Sequence, residues 1–322
     1  MAEIPFTAAL NRAMAEEMKQ DERVVVLGED VRAGFFGATS GLVDIFGPER
    51  VLNTPIWESG IAGMALGLAV TGLRPVAELM FADFFYLAAD EIANQMASWH
   101  YVTGGQTPVP IVVRTAAGGG FAIGYNHSQC TEASFLNPPG LKIVAPSTAH
   151  DAYGLLKSAI RDDNPVLFIE HKLLYGVPGE VPDEEYLIPL GEAAVRREGK
   201  DVTVLAWSTM VGKALQASEE LEKQGVSVEV IDARTLVPLD EATLLASVAK
   251  TGRLVTVEEG RKRGGVGAEI AATVMEKAFG SLKAPVVRVA APNIPVPSGP
   301  AAEAMHVPSV PSIIGGVRTA LA

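Results

Sequence analysis

Apolar positions along this chain follow two rhythms. Leu10, Met14 and Met18 recur every fourth residue, the spacing of one helix face, and Thr7 stands where a hydroxyl can cap that helix. Val24, Val25, Val26 and Leu27 instead form a continuous apolar run closed by Gly28, the pattern of a strand buried on both faces. The same two patterns then alternate. Val76–Met80, Val109–Val113, Leu141–Val144 and Val166–Ile169 predict short strands, with helices over Ile61–Thr71, Leu87–Ser98 and Ala149–Arg161. From Tyr175 to Leu190 the pattern lapses into a polar, proline-bearing stretch that reads as a linker. Alternation resumes with strands at Val202–Ala206, Val226–Ile231, Leu254–Val257 and Val286–Val289. Helices are predicted over Gly212–Gln224, Asp240–Lys250, Val266–Phe279 and Ser309–Leu321. The expectation is an α/β chain with two domains, residues 1–185 and 195–322, joined by residues 186–194. Each domain is a mostly parallel sheet flanked by helices.

Composition narrows the function. The chain has 322 residues, 48% of them hydrophobic and 20% charged, enough for two ordinary cores. A net charge of −12 disfavours nucleic acid and anionic membranes as partners. The single cysteine, Cys130, excludes a disulfide framework and a cysteine-rich zinc site, and fits a cytoplasmic setting. The first ten residues lack a signal-peptide pattern. The apolar stretch Ile61–Leu73 is shorter than the about 20 residues that span a bilayer.

Ligands of open parallel sheets sit beyond the carboxyl ends of the strands, so the residues after each strand are the candidates. Glu29 and Asp30 follow the first strand. Glu58 lies in Thr54-Pro55-Ile56-Trp57-Glu58-Ser59-Gly60, before an apolar helix. There it is either a helix-start charge stabilised by backbone N–H groups or a carboxylate in a dry pocket. Phe84, Phe85 and Tyr86 are a local excess of aromatics, suited to core packing or to stacking on a planar ring. Gly118-Gly119-Gly120 opens a polar loop that reaches His127, a candidate for proton transfer. The chain has no dinucleotide fingerprint, no phosphate loop, no Gly-x-Ser-x-Gly elbow and no Gly-Asp-Gly.

These segments, in this order, resemble the beta chain of the decarboxylating component of 2-oxo acid dehydrogenase complexes. The resemblance is carried by Leu27-Gly28-Glu29-Asp30-Val31, the segment 54–60, Gly72-Leu73-Arg74-Pro75-Val76-Ala77-Glu78, Val109–Arg114 and His127-Ser128-Gln129. It continues through Ala159–Pro165, Ile231–Leu236 and Pro238-Leu239-Asp240. It implies a thiamine pyrimidine-binding domain followed by a transketolase C-terminal-like domain. It assigns Glu58 to hydrogen-bonding the aminopyrimidine of thiamine diphosphate, Phe84 to stacking on that ring, and His127 to the active site. Glu29 matches an acidic position near the cofactor. Ile111, Ala159, Asp162 and Asn164 match positions whose carbonyls hold a monovalent cation, potassium, in some members.

Thiamine enzymes typically mark the diphosphate and Mg2+ half of their site with Gly-Asp-Gly, so the resemblance implies that an alpha subunit supplies that half here, and two copies of each chain would close an α2β2 heterotetramer by symmetry. The implied reaction is oxidative decarboxylation of a small 2-oxo acid such as pyruvate, with acyl transfer to the lipoyl acyltransferase core. Cleavage of acetoin and the small subunit of a split transketolase are the enzyme alternatives. A regulatory or scaffolding chain is disfavoured because Glu58, Phe84 and His127 are all intact.

Overall fold

The computed structural model describes residues 2–322. Residues are grouped in two compact units. The first contains the chain up to Ala117 together with Ser134–Leu190, and the second Gly118–Ala133 together with Gly191–Ala322. The sequence pattern counts residues 118–133 with the first domain. They group with the second because side chains of that unit hold their backbone, as described below.

In the first unit the chain runs β1 (Ala2–Pro5), α1 (Phe6–Gln20), β2 (Val24–Gly28), α2 (Leu42–Phe46), β3 (Val51–Asn53), α3 (Glu58–Val70) and β4 (Arg74–Leu79). It continues with α4 (Ala97–Val102), β5 (Val112–Ala117), β6 (Lys142–Val144), α5 (Ala149–Arg161), β7 (Val166–His171) and β8 (Pro178–Val181). Six parallel strands lie in the order β6-β7-β5-β4-β2-β3. Leu10, Met14 and Met18 of α1 are buried, and α1 packs on α5 around Tyr153, Leu156 and Ile160. The rim of that contact is ionic: Arg161 Nη2 lies 2.7 Å and Lys157 Nζ 3.2 Å from Glu17 Oε1.

Several local expectations change. Helix α1 starts one residue before Thr7, whose hydroxyl donates instead to the Tyr175 carbonyl at 3.1 Å. Strand β5 begins at Val112, because Pro110 has no N–H for a ladder and Ile111 N–H turns back to the Val109 carbonyl at 2.8 Å. The helix expected over Leu87–Ser98 follows a 3-10 turn at Ala82–Tyr86 and is a wide π-type segment at Asp90–Met96 that runs into α4. Its buried residues Ala88, Ile92 and Met96 keep four-residue spacing. Within the presumed linker, β8 pairs antiparallel with β1.

The second unit contains β9 (Ala194–Arg197), β10 (Val202–Ala206), α6 (Thr209–Glu222), β11 (Val228–Asp232) and a short β12 (Thr235–Val237). There follow α7 (Glu241–Thr251), β13 (Leu254–Arg261), α8 (Val266–Ala278), β14 (Val287–Ala291), α9 (Pro300–His306) and α10 (Val310–Leu321). Its sheet has the order β14-β13-β10-β11-β9, parallel except for β9. Helices α6 and α10 pack against each other, as do α7 and α8. Asp240 caps α7 by accepting the Thr243 N–H at 3.0 Å, and Ser309 caps α10 in a reciprocal box with Ser312.

Candidate active site

The strand order of the first unit fixes where a ligand can enter. The chain leaves β2 toward β3 on one side, and leaves β4 toward β5 on the other. Between the carboxyl ends of β2 and β4 the connections diverge, which opens the crevice typical of such sheets. Glu29 stands at the end of β2, the 3-10 turn Ala82–Tyr86 follows β4, and Glu58 begins α3 after β3.

Glu58 is 8% exposed, and no Lys, Arg or His pairs with it among the described residues. The other buried glutamates of this unit are compensated: Glu17 by Arg161 and Lys157, and Glu78 and Glu170 by Arg114. Glu58 has only the first turn of α3 to favour its charge. Glu29 is pushed above its ordinary value by burial, then by Asp30 and Glu58, so the charge of Glu58 reaches Glu29. The backbone is pinned between them, since Thr54 N–H donates to the Gly28 carbonyl at 3.0 Å. A side chain at Gly28 would meet the Glu78 carbonyl at 2.6 Å, so this close approach requires glycine. The Thr54 hydroxyl is buried here without a hydrogen-bond partner.

The aromatic segment divides its labour. Phe85 is fully buried edge-on to Phe135, and Tyr86 is exposed with its hydroxyl 2.9 Å from Ser134 Oγ. Phe84 is half-buried and edge-packed on Phe81, with ring centroids 6.4 Å apart. Of the three, Phe85 is core, while Phe84 keeps part of its ring surface outside it.

His127 lies in the irregular loop 118–133, where its backbone N–H donates to the Gly124 carbonyl at 3.2 Å. It is half-buried and belongs to the second unit. In that unit Glu258, fully buried on β13, accepts the Val266 and Gly267 N–H groups of α8, each at 3.0 Å. Burial pushes its carboxyl up to about 7 against the pull of those amides.

Of the residues matched to potassium, Asp162 and Asn164 lie in the turn after α5, Ala159 in the last turn of that helix and Ile111 just before β5. The Ile111 carbonyl accepts the Val166 N–H at 2.8 Å and the Ala159 carbonyl the Asp162 N–H at 3.3 Å. The Asp162 carbonyl accepts Arg74 Nη1 at 3.1 Å. Its carboxylate binds Lys142, and accepts the Asn164 N–H at 2.9 Å and its amide nitrogen at 3.0 Å. Each carbonyl keeps a second lone pair, although two cationic side chains already serve the turn. Among the described residues no cluster of three or more His, Cys, Asp or Glu could hold a metal. Among the described residues no helix is long and apolar enough to cross a membrane.

An aminopyrimidine needs an acidic partner at a ring nitrogen, further polar contacts and an apolar face. Glu58 without a cation, the unpartnered Thr54 hydroxyl and the half-buried Phe84 ring fit those needs. Sequence reasoning quoted Thr54 but gave it no role, because only the folded loop shows its hydroxyl to be buried and unpaired.

Residues 2–178 match the family described as "Transketolase, pyrimidine binding domain", and residues 191–313 "Transketolase, C-terminal domain". These are domains of thiamine-diphosphate enzymes. The chain is 47% identical to pyruvate dehydrogenase E1 component subunit beta-2 of Oryza sativa subsp. japonica, over 99% of this chain and 86% of that one. It is 48% identical to 2-oxoisovalerate dehydrogenase subunit beta of Bacillus subtilis, over 94% of each. It is 44% identical to the acetoin:2,6-dichlorophenolindophenol oxidoreductase subunit beta of Cupriavidus necator, over 96% of this chain and 95% of that one. Among solved structures, the beta4 tetramer described as an inactive split-gene transketolase superposes with a TM-score of 0.83 at 28% identity, covering 99% of this chain and 98% of that one. With both domains in that order, and such identity along nearly its whole length, the chain belongs to the beta-subunit family of the 2-oxo acid dehydrogenases.

Proposed function

We propose that this chain is the beta half of a thiamine-diphosphate-dependent 2-oxo acid dehydrogenase, in which Glu58 engages the pyrimidine ring of a cofactor completed by an alpha subunit. The observation that carries the reading is the buried Glu58 without a cation, electrostatically linked to Glu29 at the switch point of the sheet. When bound, the cofactor supplies a thiazolium carbon that stabilises the charge left by decarboxylation. Glu58 holds or shares a proton at the pyrimidine nitrogen, in a pocket where a fixed hydrogen bond is worth more than in water. Thr54 offers its hydroxyl to the same ligand. Phe84 supports the ring plane, and His127 orients substrate or moves a proton.

The diphosphate and Mg2+ belong to the alpha subunit in this reading, since Mg2+ prefers carboxylate and phosphate oxygens and the chain has no Gly-Asp-Gly. Ile56, Trp57 and Met64 are exposed beside Glu58, an apolar surface suited to a partner chain. Two copies of each chain would close an α2β2 assembly by symmetry. The acyl group passes to a lipoyl carrier on the acyltransferase core, in the cytoplasm. Substrates are small 2-oxo acids, pyruvate or branched-chain. Acetoin is the second reading, favoured by the similarity to the Cupriavidus necator chain. A split transketolase is less favoured, since the transketolase structure is 28% identical and the dehydrogenase relatives 47–48%. A potassium ion on the carbonyls of Ile111, Ala159, Asp162 and Asn164 completes the proposal as a structural cation.

Calorimetry tests the split site. This chain alone is expected to bind thiamine diphosphate with Mg2+ weakly or not at all, and the alpha–beta mixture tightly. Tight binding by the chain alone would remove the shared site.

A further inference from the structure

We infer that Glu259 and Glu303 form a carboxylate clamp that sets the loop 118–133, and so positions His127 for catalysis; this rests on the reading of His127 proposed above. Hydrophobic burial does not hold this loop. Its large apolar side chains, Phe121, Ile123 and Tyr125, are all exposed. Its backbone is held by charge instead. Gly119 N–H donates to Glu259 Oε1 at 2.6 Å, and Ala122 N–H to Glu303 Oε2 at 2.8 Å. Bonds from amides to carboxylates are among the strong hydrogen bonds of proteins. Both acids are themselves fixed. Thr209 Oγ1 donates to the second oxygen of Glu259 at 3.3 Å, and Glu303 is 3% exposed on α9.

The loop is shaped to fit the clamp. Ala122 adopts φ +53°, a left-handed conformation that an alanine keeps only when its surroundings impose it. A Cβ on Gly119 would stand 3.1 Å from the Glu303 carboxylate, and one on Gly124, at φ +87°, 2.9 Å from Ser298 Oγ. The far end is closed by Arg261 Nη2 donating to Gln129 Oε1 at 3.0 Å, and by Gly118 N–H on the Gln129 carbonyl at 3.2 Å. Directly beside His127, Ser128 faces a cavity of about 10 Å³ that is also lined by His306 of α9. Ser128 Oγ and His306 Nδ1 are both buried there without a hydrogen-bond partner. The two residues line the same small cavity, so α9 also packs beside the residue next to His127.

The test uses the assembled alpha–beta complex carrying Glu303→Ala or Glu303→Gln, with pyruvate as the probe substrate. Amide hydrogen exchange over residues 118–133 is read alongside kcat, KM and the melting midpoint. Glu303→Ala should speed exchange at Ala122 at least about tenfold and lower kcat by about ten- to a hundredfold, with KM and the melting midpoint little changed. Glu303→Gln should recover most of both, because its amide oxygen still accepts from Ala122. Unchanged loop exchange in a folded Glu303→Ala complex overturns the clamp, and faster exchange with normal kcat overturns its positioning role. Should Glu303→Ala fail to assemble, Glu259→Ala, which removes the acceptor of the Gly119 N–H, reads the same two quantities at Gly119. A His127→Ala complex with full activity would sink the role given to His127, while the exchange data still judge the clamp.

Discussion

Buried carboxylates within the sheet of the first unit and the one beyond its strand ends are treated differently. On neighbouring strands β4, β5 and β7, Arg114 sits between Glu78 and Glu170, at 2.8 and 2.7 Å. Tyr175 adds a hydrogen bond to Glu170 at 2.9 Å. Burial works against the Arg114 charge, but Glu170 and Glu78 outweigh it and hold the guanidinium above its ordinary value. Burial also pushes Glu170 up, and Arg114 offsets this only in part, because one cation serves two acids. Beyond the strand ends, Glu58 has no such cation, and its charge instead adds to that of Asp30 in raising another acid, Glu29. A carboxylate that the fold compensates is structure. One that the fold buries and leaves uncompensated is available to a ligand.

Removing the compensation should have the largest effect. Arg114→Met leaves two carboxylates buried together and should cost about 3–5 kcal/mol. The midpoint of denaturant unfolding measures it, and a loss under about 1 kcal/mol would mean that the network relaxes or protonates without cost. Adding Glu78→Leu and Glu170→Leu should recover much of the loss, since apolar packing can replace a buried ionic triad.

Glu58→Gln should show the opposite profile. Stability should change by no more than about 1 kcal/mol, the worth of a helix-start charge. Exchange of the thiazolium proton in the assembled enzyme should slow about a hundredfold, as for loss of a positioned acid–base group. Near-normal exchange in a folded variant would shift the role to Glu29.

The smallest effect is expected at the turn after α5, where Arg74 and Lys142 already bring positive charge. Potassium should raise the melting midpoint over sodium or a bulky organic cation by a few degrees, at about 2–4 °C per kcal/mol for domains of this size. Identical curves in all three salts would remove the ion.

The chain shows these two groups unequally. Helix α5 is legible to the residue, because a capping Thr148 precedes a regular apolar face that ends before Asp162. Asp240 and Ser309 are legible as caps for the same local reason. The β1–β8 pair is not, since four-residue strands with proline at their ends carry no periodic signal and join distant stretches of chain. Glu58, Phe84 and His127 can be picked out by their place after strands and by their neighbours. That Glu58 lacks a cation while Glu78 has one cannot be, because compensation depends on which strands lie side by side. The grouping of residues 118–133 with the second unit is hidden for a similar reason. It is made by Glu259 and Glu303, far along the chain from the amides they hold.

Gly60 makes the corner around Glu58 visible to light. A methyl group at that position would come within 2.4 Å of the Trp57 ring, so glycine lets the indole lie flat on the first turn of α3. The ring still faces solvent, being 64% exposed, whereas Trp207 is buried with its N–H on Glu132 at 3.2 Å. A solvated indole emits further to the red than a sheltered one. Of the three tryptophans in the chain, the one adjoining Glu58 is thus the most open to a spectral change, and whatever covers that corner should move its emission to the blue.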